Sequence, residues 1–145
     1  FQAMGKNIVH VGDHGMGQVV KLCNQILVGT NMLGVAEALM FVSKAGVDLE
    51  KAFAAVSGGA AGSWQLTNNG TKLLRGDLEP GFKVKDYVKD LRLIMETAGE
   101  MKLPLMGAGV VNQMFRALDA EGLGNKGTQA VIRAVERLAQ AKLLR

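Results

Sequence analysis

Lys21, Asn24 and Gln25 stand at i, i+3 and i+4, a spacing that places an ammonium and two carboxamides on one face of a helix. After Lys21 no charged residue occurs until Glu37, so the lysine opens a stretch that otherwise favours burial. An ammonium is expensive to desolvate, and a desolvated lysine titrates lower and can exchange a proton near neutrality. The residue types therefore suit a general acid/base flanked by amides that orient it or hold a substrate hydroxyl. A lysine that snorkels to water beside two surface amides gives the same spacing, and the residues alone leave that reading open.

A second charged cluster follows Phe82: Lys85, Lys89 and Arg92 share one helical face, as do Asp86 and Asp90. Like charges at i,i+4 weaken a helix slightly, a local conflict that a binding site or a solvated face would explain. Trp64 is the only tryptophan and adjoins the glycine-rich turn at 57–62. The order Gly12-x-x-Gly15-x-Gly17 is not the Gly-x-Gly-x-x-Gly of a dinucleotide loop, and no Gly-Lys-Ser/Thr follows for a phosphate loop. His10 and His14 have no carboxylate or cysteine pattern to make a metal site, so no metal is expected. The single cysteine, Cys23, excludes an intramolecular disulfide, and its place in an apolar helix predicts a buried, inert thiol.

These residues need elements to carry them. Residues 6–12 alternate polar and apolar side chains and end on glycine, a strand signal that has no partner strand in the chain. A long helix is predicted from about 16 to 45 and stopped by Gly46. Asp48 is placed to cap a second helix over 49–56, and Ser63 to cap a short one carrying Trp64 and Leu66. Helices are then expected over 84–101, from Pro104 to about 120, and over 128–142. The segment 34–55 superficially resembles a helix-turn-helix, but its second helix lacks side chains that read bases. The fold class is all-α: a helical bundle with one long N-terminal helix, preceded by a remnant strand.

At 145 residues with 48% hydrophobic and 5% aromatic side chains, the chain suits one domain built by helix-on-helix packing. A net charge of +4 without a basic stripe argues against a nucleic-acid partner and fits a small anionic substrate or nucleotide. No signal peptide and no run of 18 apolar residues is apparent, which predicts a cytoplasmic protein with no membrane partner.

The order Gly12-x-x-Gly15-x-Gly17-Gln18-x-x-Lys21-x-x-Asn24-Gln25, followed by Gly81-Phe82 and Lys89-Asp90-Leu91, resembles the C-terminal domain of the β-hydroxyacid dehydrogenases over essentially the whole chain. That group includes 3-hydroxyisobutyrate dehydrogenase and 2-hydroxy-3-oxopropionate reductase. The resemblance implies Lys21 as the catalytic acid/base, and Asn24, Gln25, Trp64 and Phe82 as substrate-binding residues. It further implies Lys89 and Asp90 toward an NAD or NADP cofactor. Gln25 stands where the family often has asparagine. Ser57-Gly58-Gly59 is spelled like the family's substrate-carboxylate loop but follows Lys21 instead of preceding it, so that role does not transfer. The resemblance also implies that residues 1–12 are an interdomain strand remnant and 13–145 an all-α C-terminal substrate and dimerisation domain. An N-terminal NAD(P)-binding Rossmann domain would then be missing from this chain, in keeping with a start at Phe1. The expected activity of the parent enzyme is hydride transfer to and from a small hydroxy-acid or semialdehyde substrate in a homo-oligomer, the isolated fragment being inactive. Alternatives are a helical oligomerisation module without catalysis and an imine-reductase-like relative; the latter generally lack the catalytic lysine.

Overall fold

Residues 16–44 contain no proline and few β-branched residues in succession, and they form one 29-residue helix, α1 (Met16–Lys44). The computed structural model describes residue 3 and residues 5–144. Gly15, at φ 91°, turns the chain into α1, and Gly46, at φ 76°, turns it out; both conformations are strained for residues with a Cβ. The two halves of α1 differ. Its C-terminal half is the axis of the bundle, with Met32, Val35, Ala36, Leu39 and Met40 buried. Residues 16–21, 23 and 24 are exposed. α1 is long and apolar enough to cross a bilayer, yet its inner half packs against the other helices.

Asp48 caps α2 (Leu49–Ser57) as expected, its carboxylate accepting from the Lys51 N–H at 2.9 Å. Ser63 Oγ accepts from the Leu66 N–H at 3.1 Å, and the chain there enters a widened π-helical turn, Gln65–Gly70, that runs into α3 (Thr71–Leu74). Such turns are uncommon and concentrate at functional sites. Gly70 lets this turn lie close: a Cβ there would meet Phe53 at 3.0 Å and Val35 at 3.5 Å.

α4 (Val84–Glu100) and α5 (Met106–Leu118) pack beside α1. α4 turns an apolar face to the core, with Leu91, Ile94 and Ala98 buried at three- and four-residue spacing. α4 has no side-chain cap. Its first free N–H groups instead reach carbonyls of the loop after α5, Val84 to Lys126 O at 2.9 Å and Lys85 to Gly124 O at 3.0 Å, which satisfies orphan donors of the helix start. The same loop gives its Gly127 N–H to Leu78 O and its Thr128 N–H to Phe82 O.

The last expected helix begins as a 3₁₀ turn, Thr128–Val131, and continues as α6 (Ile132–Ala139). Ile132 and Val135 are buried, whereas Leu138 is exposed: the apolar stripe of this helix leaves the core at the final turn. Glu136, 5% exposed, ties the tail back. It accepts from the Leu143 N–H at 2.9 Å and from Arg133 at 2.8 Å, with Lys142 at 3.5 Å. Burial pushes this carboxyl up, but the Leu143 amide and the two cations outweigh it and hold it below its ordinary value.

The front strand does not form. Residues 5–11 are irregular and exposed, and no strand occurs among the described residues. Alternation alone cannot make a strand without a neighbour to take its N–H and C=O groups. Residues 1, 2 and 4 of the expected 1–12 remnant lie outside the described residues, as does 145. The rest is the all-α architecture read from the chain.

Candidate functional site

Gln25 is the first buried residue of α1, at 9% exposure. Its carboxamide is fixed from both ends. Nε2 donates to Asp90 Oδ2 at 2.7 Å, and Oε1 accepts from Asn24 Nδ2 at 3.1 Å. The polarity of this chain follows from Asp90, because an ionised carboxylate only accepts. Gln25 must present its NH₂ to Asp90 and its oxygen to Asn24. Asn24 must then spend an N–H on Gln25, which leaves its own oxygen free for an outside donor. Asn24, not Gln25, is thus the carboxamide open to a ligand.

Asp90 is carried on α4 at 4% exposure. Its second oxygen, Oδ1, is buried without a hydrogen-bond partner among the described residues; Lys89 Nζ stands 3.7 Å away. The Lys89 side chain is 60% exposed, so its ammonium remains available to a ligand. One turn earlier on α4, the fully buried Tyr87 donates its hydroxyl to the backbone carbonyl of Gln25 at 2.8 Å. Burial, followed by the charge of Asp90, pushes this phenol well above its ordinary range against a Gly29 backbone hydrogen bond, so it stays a neutral donor. Gly29 makes the approach possible, since a Cβ there would run into the Tyr87 hydroxyl and meet Val111 at 2.8 Å. Tyr87 is braced edge-on by Phe82 and Phe115, at centroid distances of 5.8 and 4.8 Å.

The π-helical turn forms the opposite wall. Gln65 and Asn69 are buried and joined by a 2.7 Å hydrogen bond from Asn69 Nδ2 to Gln65 Oε1. Trp64, immediately before the turn, is exposed. Between this wall and α1 lies a groove of about 530 Å³, lined by Asn24, Gln25, Trp64 and Phe82 together with Asn31, Gln65, Asn69 and Thr128. A larger groove of about 670 Å³ lies between α4 and α5, but it is lined by the paired Arg92 and Glu96 and by none of the expected site residues. The smaller groove has the chemistry.

Four expected residues, Asn24, Gln25, Trp64 and Phe82, therefore line one cavity. Asp90 sits behind Gln25 rather than in the lining, and Lys89 lies on the outer side of Asp90. Lys21 is one turn before Gln25 on α1 and exposed, with no carboxylate within ion-pair distance among the described residues. Its expected desolvation is not met within this chain, because the first turns of α1 project beyond the bundle. The same geometry corrects Cys23, which is exposed instead of buried. No group of three histidine, cysteine or acidic side chains is assembled for a metal among the described residues.

Tyr87, Gln65, Asn69 and Thr128 were not anticipated. The lone tyrosine three residues before Asp90 was a usable signal for the first. Nothing in the spacing announces a π-helical turn, so the pair on it was not legible.

Comparison with known proteins places these residues in a family. Residues 15–135 match the model described as NAD-binding of NADP-dependent 3-hydroxyisobutyrate dehydrogenase. The chain is 42% identical over 138 residues to a probable mitochondrial 3-hydroxyisobutyrate dehydrogenase-like protein of Arabidopsis thaliana, covering 95% of this chain and 41% of that one. It is 37% identical over 143 residues to the 2-hydroxy-3-oxopropionate reductase of Escherichia coli, covering 99% and 49%. Among solved structures it is similar to a 3-hydroxyisobutyrate dehydrogenase of Salmonella typhimurium, with a TM-score of 0.87, 31% identity, and 92% and 47% coverage. The chain spans about half the length of the curated relatives it matches.

Proposed function

Since the chain belongs to the NADP-dependent 3-hydroxyisobutyrate dehydrogenase family, we propose that it forms the helical, substrate-facing half of an oxidoreductase that interconverts small 3-hydroxy and 3-oxo acids. The observation that carries this reading is the convergence of Asn24, Gln25, Trp64 and Phe82 on one groove, with Lys21 a turn away on the same helix.

The groove suits a nicotinamide cofactor together with a small acid: it joins apolar and aromatic side chains to open carboxamides, and the exposed Lys89 ammonium stands on the outer side of Asp90. NAD or NADP, when bound, supplies or accepts the hydride at the substrate carbon. This chain's residues handle the rest. During reduction Lys21 gives a proton from its ammonium to the substrate carbonyl oxygen, and during oxidation the lysine amine takes the proton of the hydroxyl. Asn24 offers its free oxygen to a substrate hydroxyl, while Gln25, held by Asp90 and Tyr87, keeps Asn24 in that orientation. Trp64 and Phe82 wall the groove. Lys89 holds the cofactor from the helical side.

In the same reading, a dinucleotide-binding domain packs on the exposed first turns of α1 and supplies the desolvation that Lys21 lacks here. The apolar stripe of Met106 and Val110 on α5, both exposed, suits contact with a second copy. The test is Lys21→Ala and Lys21→Arg in the full-length enzyme. Turnover should fall by roughly 10²–10⁴-fold while nicotinamide binding is retained. Near-normal turnover with intact binding would remove Lys21 from the chemistry.

A further inference from the structure

The groove between α4 and α5, about 670 Å³, shares no lining residue with the groove proposed for the reaction. Its volume falls within the range of roughly 300–1,000 Å³ common to small-molecule sites. The charges that line it are of two kinds. On α4, Arg92 Nη1 donates to both oxygens of Glu96, at 2.9 and 3.0 Å, and each largely neutralises the other. Arg116, in the last turn of α5, and Asp119, directly after α5, also line the groove. Neither joins an ion pair among the described residues. Their spacing, i and i+3, puts them on one side of the helix, yet each charge is left open. Asn112, at i−4 from Arg116, adds a carboxamide to the groove, and Val88, Met95 and Ala120 add apolar surface.

This set of side chains narrows the ligand by elimination. A phosphate or other polyanion would be drawn to Arg116 but repelled by Asp119 and Glu96. No aromatic side chain lines the groove, so a base has nothing to stack on. A plain hydrocarbon would strip water from two open charges and return nothing to them. The complement is a molecule with one carboxylate, one ammonium and a short aliphatic body. We propose that the α4–α5 groove binds a small aliphatic α-amino acid. Its carboxylate meets the Arg116 guanidinium, whose fork of donors matches the two oxygens, with the Asn112 amide as a further donor. Its ammonium meets Asp119. Its side chain covers Val88 and Met95. The ligand and the lining are then each neutral overall, and no charge is left without a partner.

The test is calorimetric titration of the full-length protein with L-leucine, with 4-methylpentanoate, which lacks the ammonium, and with 3-methylbutylamine, which lacks the carboxylate. Leucine should bind saturably. Each truncated analogue should bind at least roughly tenfold more weakly, because one hydrogen-bonded charge is lost from one end. Arg116→Gln and Asp119→Asn should each weaken leucine by a similar factor, with cooperative thermal unfolding retained as evidence of the fold. Asn24→Ala, in the other groove, should leave leucine binding unchanged. The measurement is of binding alone, so it holds whether or not the reaction proposed for the other groove is correct. No leucine binding, or analogues that bind as tightly as leucine, would overturn the zwitterion site. Leucine binding that survives in both folded variants, or that Asn24→Ala abolishes, would place the ligand elsewhere and overturn it equally.

Discussion

Gln25 Nε2 donates to Asp90 Oδ2 at 2.7 Å and so joins α1 to α4 across 65 residues of sequence. Because the carboxylate can only accept, this one bond sets the direction of every amide that follows it, ending in the free oxygen of Asn24. A hydrogen bond to a charged, buried partner contributes on the order of 1.5–3 kcal/mol. The larger consequence is orientation. Asp90→Asn would supply an NH₂ as well as an oxygen, allowing Gln25 to flip and present the wrong end to Asn24. The expected outcome is a fall in kcat/KM of roughly ten- to a hundredfold with a near-normal melting temperature. A variant with unchanged kinetics would show that the amide direction has no functional weight.

Tyr87 holds the backbone of the same residue that Asp90 holds by its side chain, and Gly29 is what admits it. Gly29→Ala places a methyl against the Tyr87 hydroxyl and within 2.8 Å of Val111. Helix propensity would favour alanine by about 0.8–1 kcal/mol, but overpacking of a full core costs about 1–3 kcal/mol. The overlap is with core side chains, so destabilisation should win. Denaturant unfolding of the variant should show a lower midpoint with an unchanged slope.

How much of this was written in the chain depends on the kind of signal. α1, α2 and α4 follow from periodicity and punctuation: Gly46 and Asp48 end one helix and start the next where their backbone and capping preferences require. Helical spacing also put Asn24 and Gln25 within one turn of each other, and both line the groove; Asp90, which lies behind Gln25, was singled out by the family resemblance and not by spacing. Three features were not legible. The front strand needs a partner that the described residues do not supply. Lys21 and Cys23 sit in an apolar sequence yet are exposed, since burial depends on what packs against a helix and not on its composition alone. Gln65 and Asn69 face the groove because of a π-helical turn, which has no distinctive sequence period.

Glu136 makes acid stability a direct readout of how the C-terminal tail is held. Its pKa lies below the ordinary 4.5 in the folded protein, so the folded state prefers the ionised form more than the unfolded state does. Its contribution is therefore full above the unfolded value and is lost as pH falls through the folded one. Glu136→Gln should lower stability near pH 7, and the gap from wild type should close on acidification below the ordinary glutamate value of 4.5. Thermal unfolding of both proteins across that range measures the gap. A difference that does not vary with pH would mean that the Leu143 N–H bond matters and the charge does not.

Cys23 offers a probe of the exposed end of α1. It is the only cysteine, it is exposed, and it lies two residues after Lys21 on the stretch proposed to meet a dinucleotide-binding domain. In the isolated 145-residue chain a thiol reagent should modify Cys23 at close to the rate of a free cysteine, since accessibility and thiolate fraction govern the reaction. In the full-length enzyme the same thiol should react at least roughly tenfold more slowly, and addition of nicotinamide cofactor should slow it further if closure tightens the contact. Equal rates in the two proteins would mean that the first turns of α1 stay open to water. Lys21 would then have no source of desolvation, and its assignment as a proton carrier near neutrality would lose its physical basis.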